Sequence, residues 1–218
     1  MPTGTVTVTQ GGSTASGTDA YCLVFTGQAA SPIGNSASAT NTTPSLALAA
    51  AAANSFIVGS NLGLIGTWTA LGNTTLLQNR GAQGLEYVSF QSTAVTADTN
   101  SHTYGSTATV NSISIVELEI KAAAASLAVD GSSPGGFFTS TLTATSASFT
   151  PPASSLVVVL VQTNGNVVVT ATVTDTGLGL TWTEQVKQNT SGNGYVGIWT
   201  APVPAASVSA GMLLAGEI

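Results

Sequence analysis

The residues able to do chemistry in this chain are few and lie far apart. His102 is the only histidine and Cys22 the only cysteine among 218 residues, and nine carboxylates complete the set. Zinc is held by three or four His, Cys or carboxylate ligands, which one histidine without cysteine partners does not supply. His102 lies in Asp98-Thr99-Asn100-Ser101-His102-Thr103 and reads as an exposed residue of a polar loop ahead of a strand. No Gly-x-Ser-x-Gly elbow supports a nucleophilic serine, and no glycine motif for phosphate or dinucleotide is present. Glu117 and Glu119 could pass for the carboxylate pair of a glycosidase. Strand alternation explains that spacing better: Lys121 continues the row, so a solvated or subunit-facing edge is expected. Asp98 with Asn100, or Asp175 in its turn, offers oxygen ligands without the dense spacing of a calcium loop. The expectation is therefore no catalytic residue, no metal and no cofactor.

Aromatic side chains are the remaining means of binding. Tyr195, Trp199 and Tyr87 form the candidate ligand platform, of the kind that stacks on a sugar. Trp68 and Trp182 sit in matching triplets, Thr67-Trp68-Thr69 and Thr181-Trp182-Thr183. A large apolar residue recurring between outward threonines reads as a core residue common to two copies of one unit.

Those triplets belong to a wider repetition. Ala53-Asn54-Ser55-Phe56-Ile57-Val58 matches Ala153-Ser154-Ser155-Leu156-Val157-Val158, and residues 84–88 match residues 194–199 in a loose register. Three matched blocks in one order describe an internal duplication of units of about 100 residues, the usual size of a domain. The expected organisation is an N-terminal strand or arm over 1–19, a first module over 20–112 and a second over 113–218.

Composition narrows the class. The chain is 43% hydrophobic but only 6% charged, about a quarter of the usual charged share, so Thr, Ser, Asn, Gly and Ala must make its surface. Val, Ile and Thr favour strands, and Gly and Asn favour turns. The formal net charge is −6 with three Lys and Arg in all. Phosphate binding needs clustered cations, so nucleic acid is excluded as a partner, and an anionic membrane surface likewise. No apolar run approaches the roughly 18 residues of a spanning helix. The N-terminus has neither the basic nor the apolar region of a signal peptide. Cys22, within Tyr21-Cys22-Leu23-Val24-Phe25, reads as a buried strand thiol.

Strands are expected at 5–9, 20–26, 56–60, 67–71, 74–78, 85–92, 112–121, 155–163, 166–174, 180–186, 195–200 and 207–214. Residues 20–26 are apolar on both faces and predict a central strand covered on both sides. Residues 31–45, with Pro32 and Pro44, read as a linker, and the alanines at 49–53 as a turn. Asn164-Gly165 between two β-branched runs predicts a hairpin with a type I′ turn. A change of parity in residues 113–120 predicts a bulge near 114–116. Many short strands at regular spacing give an all-β fold, two tandem jelly-roll-like or immunoglobulin-like β-sandwich modules.

The stretch SASFTPPASSLVVVLVQTNGN, followed by TVTDTGLGLTWTEQV and GYVGIWTAPV, resembles β-sandwich repeats of bacteriophage minor tail and other virion-surface proteins, especially of phages infecting actinobacteria. The first copy looks like a diverged member of the same group. The resemblance implies a non-enzymatic structural protein made in the host cytoplasm and placed on the virion exterior, as a tail component or capsid decoration. Its partners would be other virion proteins and further copies of itself. The alternative is a carbohydrate-binding module that recognises a host-surface glycan. The second copy ends without an equivalent of strand 112–121, and the N-terminal strands are expected to fill that gap, from the same subunit or a neighbour.

Overall fold

The computed structural model describes residues 1–12, 17–64, 66–82, 85–108, 113–123, 127–164, 169–190 and 194–205. All regular structure among them is β. In chain order the strands are β1 (Thr5–Gly11), β2 (Gly17–Thr26), β3 (Gln28–Asn41), β4 (Ser45–Ala49), β5 (Phe56–Leu64), β6 (Thr69–Ala70), β7 (Thr74–Ala82), β8 (Leu85–Ser92) and β9 (Ser101–Thr107). They continue as β10 (Ile113–Ala122), β11 (Ala128–Val129), β12 (Gly135–Thr139), β13 (Thr143–Thr145), β14 (Leu156–Asn164), β15 (Thr170–Thr176), β16 (Thr183–Thr190) and β17 (Gly194–Pro202).

These strands form four sheets stacked in layers. An outer sheet, β13-β1-β15, covers an inner one, β2-β14-β17-β16, which β11 and β12 extend beyond β2. The second inner sheet, β3-β10-β5-β8-β7, is covered by the other outer sheet, β4-β9-β6. Alternation explains the layering. Val157, Val159 and Val161 of β14 meet Val6, Val8 and Val173 of the first outer sheet. Leu156, Val158 and Leu160 of the same strand face Val58, Leu62 and Leu118 of the other inner sheet. Beyond that sheet, Ile57, Phe90 and Ile115 meet Leu48 and Tyr104. Both inner sheets are thus covered on both faces, so their strands carry near-continuous apolar runs, as expected for residues 20–26.

The matched sequence blocks share local geometry. Asn54 and Ser154 both have positive φ, 62° and 58°. The next residue in each copy, Ser55 or Ser155, donates its hydroxyl to the carbonyl three residues back, at 3.0 and 2.6 Å. β7 and β16 share a register shift at one place, between Leu76 and Gln78 and between Glu184 and Val186. In order, β3–β10 corresponds to β11–β17 followed by β1 and β2, with β11 and β12 both on the edge of β2 where β3 alone lies on β10. β10 pairs with β5 as β2 pairs with β14, and β9 lies between β4 and β6 as β1 lies between β13 and β15.

The N-terminal strands therefore complete the C-terminal repeat within one chain. Met1 and Pro2 share a cleft with Val203, Pro204 and Ala205, where residues 93–100 join β8 to β9 in the other copy. Boundaries at 19/20 and 112/113 cut through this arrangement. β2 belongs to the sheet of the second repeat and β10 to that of the first, so the copies are interleaved rather than closed one after the other.

Several expectations change. The run read as a linker contains β3, an edge strand against β10; its Ser, Ala and Asn have low strand propensity, and Pro32 lies where that register shifts, as suits an edge. The 164–165 hairpin does not form, because β14 pairs with β2 and β17 while β15 pairs with β1. β14 is buried at all nine positions and β15 at alternate ones, so the two suit different layers. Gly165 itself and the expected strand 207–214 lie outside the described residues. β10 has no bulge near 114–116; its register with β5 is unbroken, and its parity change reflects apolar neighbours on both sides.

Glu117 and Glu119 are accordingly not on a solvated edge: both are buried. Glu119 accepts hydrogen bonds from the backbone N–H groups of Asn35, Ala51 and Ala52 and from the Ser55 hydroxyl, at 2.7–3.1 Å. Burial raises its pKa, but these donors outweigh burial and hold it below the ordinary value. Glu117 has no such shell. Burial pushes it up to about 8, offset in part by the Leu46 backbone.

Candidate functional site

The two repeats differ most clearly beside β16 and β17. In the first copy, Leu76 and Phe90 are directly paired just before the register shift, and in the second Glu184 and Trp199 occupy those places. Phe90 is fully buried. Its ring lies across the strand partner Gly59, where a Cβ would stand 2.1 Å from the Phe90 Cζ. In the second copy the residue opposite Trp199 is Val159, whose side chain fills that space. The larger indole remains half-buried, with one side open to a groove.

Two hydrogen-bond chains hold the groove's aromatic walls. After β15 the backbone turns through Gly177 and Gly179, both at positive φ. The Asp175 carboxylate accepts from the N–H groups of Leu178, Gly179 and Leu180 at 3.0, 2.7 and 3.0 Å. It also accepts from the indole N–H of Trp182 at 3.1 Å. On the other wall the Trp199 indole donates to the Tyr195 hydroxyl at 2.9 Å. Tyr195 donates in turn to Glu184 at 2.5 Å, and Lys187 donates to the other oxygen of that carboxylate at 2.7 Å. Burial, followed by the Glu184 hydrogen bond and charge, pushes the Tyr195 phenol well up, so it stays protonated. Its ring lies over Gly197, where a Cβ would stand 2.1 Å from the hydroxyl; the first copy has Val88 there.

The groove between the tryptophans is open and encloses about 600 Å³, with Thr172, Thr174, Thr181 and Leu180 along its sides. A smaller recess adjoins it across Trp199, lined by Glu184, Lys187, Asn189 and the Tyr195 edge. Stacking and hydrogen bonding are what such a surface can do. Among the described residues no three His, Cys, Asp or Glu side chains converge as a metal site would require.

The platform expected from sequence is only partly assembled. Tyr195 and Trp199 meet as described, Tyr195 contributing its edge. Tyr87 is fully buried in the core between the inner sheets, its ring 5.9 Å from that of Phe138, and cannot stack on a ligand here. Trp68 is a core residue, packed with Val88 and Ile113, but Trp182 is half-buried and walls the groove. The triplet match concealed that difference because the sheet covering each tryptophan is not encoded in its neighbours. Asp175 and Glu184 were missed as its supports; the signal was an Asp in a Gly-rich turn seven residues before a Trp.

The other chemistry-bearing residues lie elsewhere. His102 is exposed, on β9 rather than in a loop, and pairs with Asp98 at 2.8 Å. Asp98 also accepts from the Asn100 backbone and amide at 2.9 and 2.8 Å. Cys22 is buried, and burial raises its thiol pKa. Asp19, at the interface of the inner sheets, is pushed up to about 7 by burial, against the lowering effects of Arg80, Gln78 and the Ala20 backbone.

No protein-family model matches this chain, and no curated protein or solved structure does.

Proposed function

We propose that the chain is a non-enzymatic structural protein on the exterior of a bacteriophage particle, as a tail component or capsid decoration. The observation that carries this reading is the closure of the C-terminal repeat by β1 and β2. β1 and β2 are thereby built one into each sheet of that repeat, a construction suited to a building block outside a cell. Its surface, rich in Thr, Ser and Asn and poor in charge, fits the same setting. Other virion proteins and further copies of the chain are its partners in this reading, joined through exposed sheet edges.

Antibody labelling of purified particles from a host producing a phage that encodes the chain tests this. Label at regular positions on intact particles is expected. Absence of the chain from purified particles, or label only after they are opened, would overturn the reading.

A further inference from the structure

We propose that the Trp182–Trp199 groove binds a neutral pyranose unit of a glycan, a task belonging to the second repeat alone. Three observations meet there. The first is the difference between copies: Leu76 and Phe90 are packed away under β4 and β9, whereas Glu184 and Trp199 line open space. One fold thus carries both a closed and an open version of the same corner, and the open version holds the indoles.

The second is rigidity. Trp182 is anchored through its N–H to Asp175, and Trp199 through Tyr195 to Glu184. Each indole presents a face whose orientation is set before a ligand arrives, which lowers the ordering cost of binding. The π face is electron-rich, and the axial C–H bonds on one side of a pyranose are its natural complement.

The third is charge. Asp175 already accepts four N–H donors, and Glu184 accepts from Tyr195 and Lys187. Asp175 keeps its negative charge with its acceptor positions occupied, and the Glu184–Lys187 pair cancels, so the groove disfavours an anionic ligand and suits an uncharged one. The hydroxyls of Thr174 and Thr181 along the groove are hydrogen-bonding groups of the kind that sugar hydroxyls take up. A site of this kind serves attachment wherever the chain is displayed.

The test titrates the full chain with chitohexaose, cellohexaose, maltohexaose and mannohexaose, and with tetramethylammonium as a cationic probe. Tryptophan fluorescence and saturation-transfer NMR are read in a Trp68→Phe background. At least one hexasaccharide is expected to bind saturably below ~10 mM, with its pyranose C–H protons receiving saturation. Trp182→Ala and Trp199→Ala should each weaken it about tenfold or more, while Trp182→Phe, which keeps a ring, stays within a few-fold. A cooperative melting transition retained by the alanine variants separates loss of stacking from loss of fold. No saturable response to any of the four sugars, affinity in both alanine variants equal to that of the parent, or binding of tetramethylammonium alone would each overturn the proposal.

Discussion

Glu117 makes stability fall as pH rises, and replacing it with glutamine should remove much of that fall. Its carboxyl is fully buried on β10, facing the β4-β9 layer near Tyr104, and neither oxygen has a well-formed hydrogen bond. Burial holds it at about 8 against an ordinary 4.5. Below the lower value both folded and unfolded chains hold the proton and there is no penalty. Between the two the folded chain binds more protons, so stability is lost progressively as pH rises towards 8. The full effect is at most roughly 4–5 kcal/mol, or about 8–20 °C in a chain of this size. Asp19, held near 7, acts with the same sign. Glu117→Gln keeps the shape and leaves a buried amide short of partners, costing about 1–3 kcal/mol at every pH. The informative quantity is therefore the slope of melting temperature against pH from 5 to 9, measured by scanning calorimetry, in a range above the titration of the depressed carboxylates Glu119 and Asp98. The wild type should lose stability across that range and the variant clearly less, keeping the part due to Asp19. A flat wild-type profile, or identical slopes in the two proteins, would refute the reasoning.

Removing residues 1–26 should abolish folding, as circular dichroism and limited proteolysis would register. Val6, Val8, Leu23, Val24 and Phe25 are fully or almost fully buried, and at about 1.5–3 kcal/mol each they amount to roughly the whole stability of a typical domain. Gly59→Ala should cost about 1–3 kcal/mol or more, seen as a fall in melting temperature, because the new Cβ meets the buried Phe90 ring. Cys22, buried with its thiol pKa raised, should resist alkylation in the native protein and react at once in denaturant.

The all-β character and the double-sided burial of residues 20–26 are legible from residue patterns, because side-chain periodicity reports how many faces a strand must cover. Layer assignment is not. Asn164-Gly165 permits a tight turn, but the partner of β14 is decided by β2, more than 130 residues away in the chain. Ser and Ala in β3 carry little strand propensity and become a strand because β10 offers an unpaired edge. Glu117 and Glu119 read as a solvated or subunit-facing edge since charges are usually exposed. The β4-β9 layer over Glu117 and the 51–55 turn that holds Glu119 are built from Ala-, Ser- and Thr-rich stretches with no strand pattern of their own, and residues 98–103 read as a polar loop ahead of a strand. At the candidate site, Tyr195 and Trp199 were found because aromatics are conspicuous. Trp182 was set aside as core because its triplet matched that of Trp68. What distinguishes the two is what packs on each ring: Trp68 lies against Val88 and Ile113, whereas Trp182 faces the open groove, and no local motif reveals that.

β2 closes the second repeat within its own chain, in register with β14. Cys22 lies directly opposite Val159 there, and the chain has no other cysteine. Val159→Cys, refolded in a glutathione redox buffer, should therefore give an intrachain 22–159 disulfide in a monomer-sized species, identified by peptide mapping. Absence of that bond, or its appearance only between chains, would contradict the account.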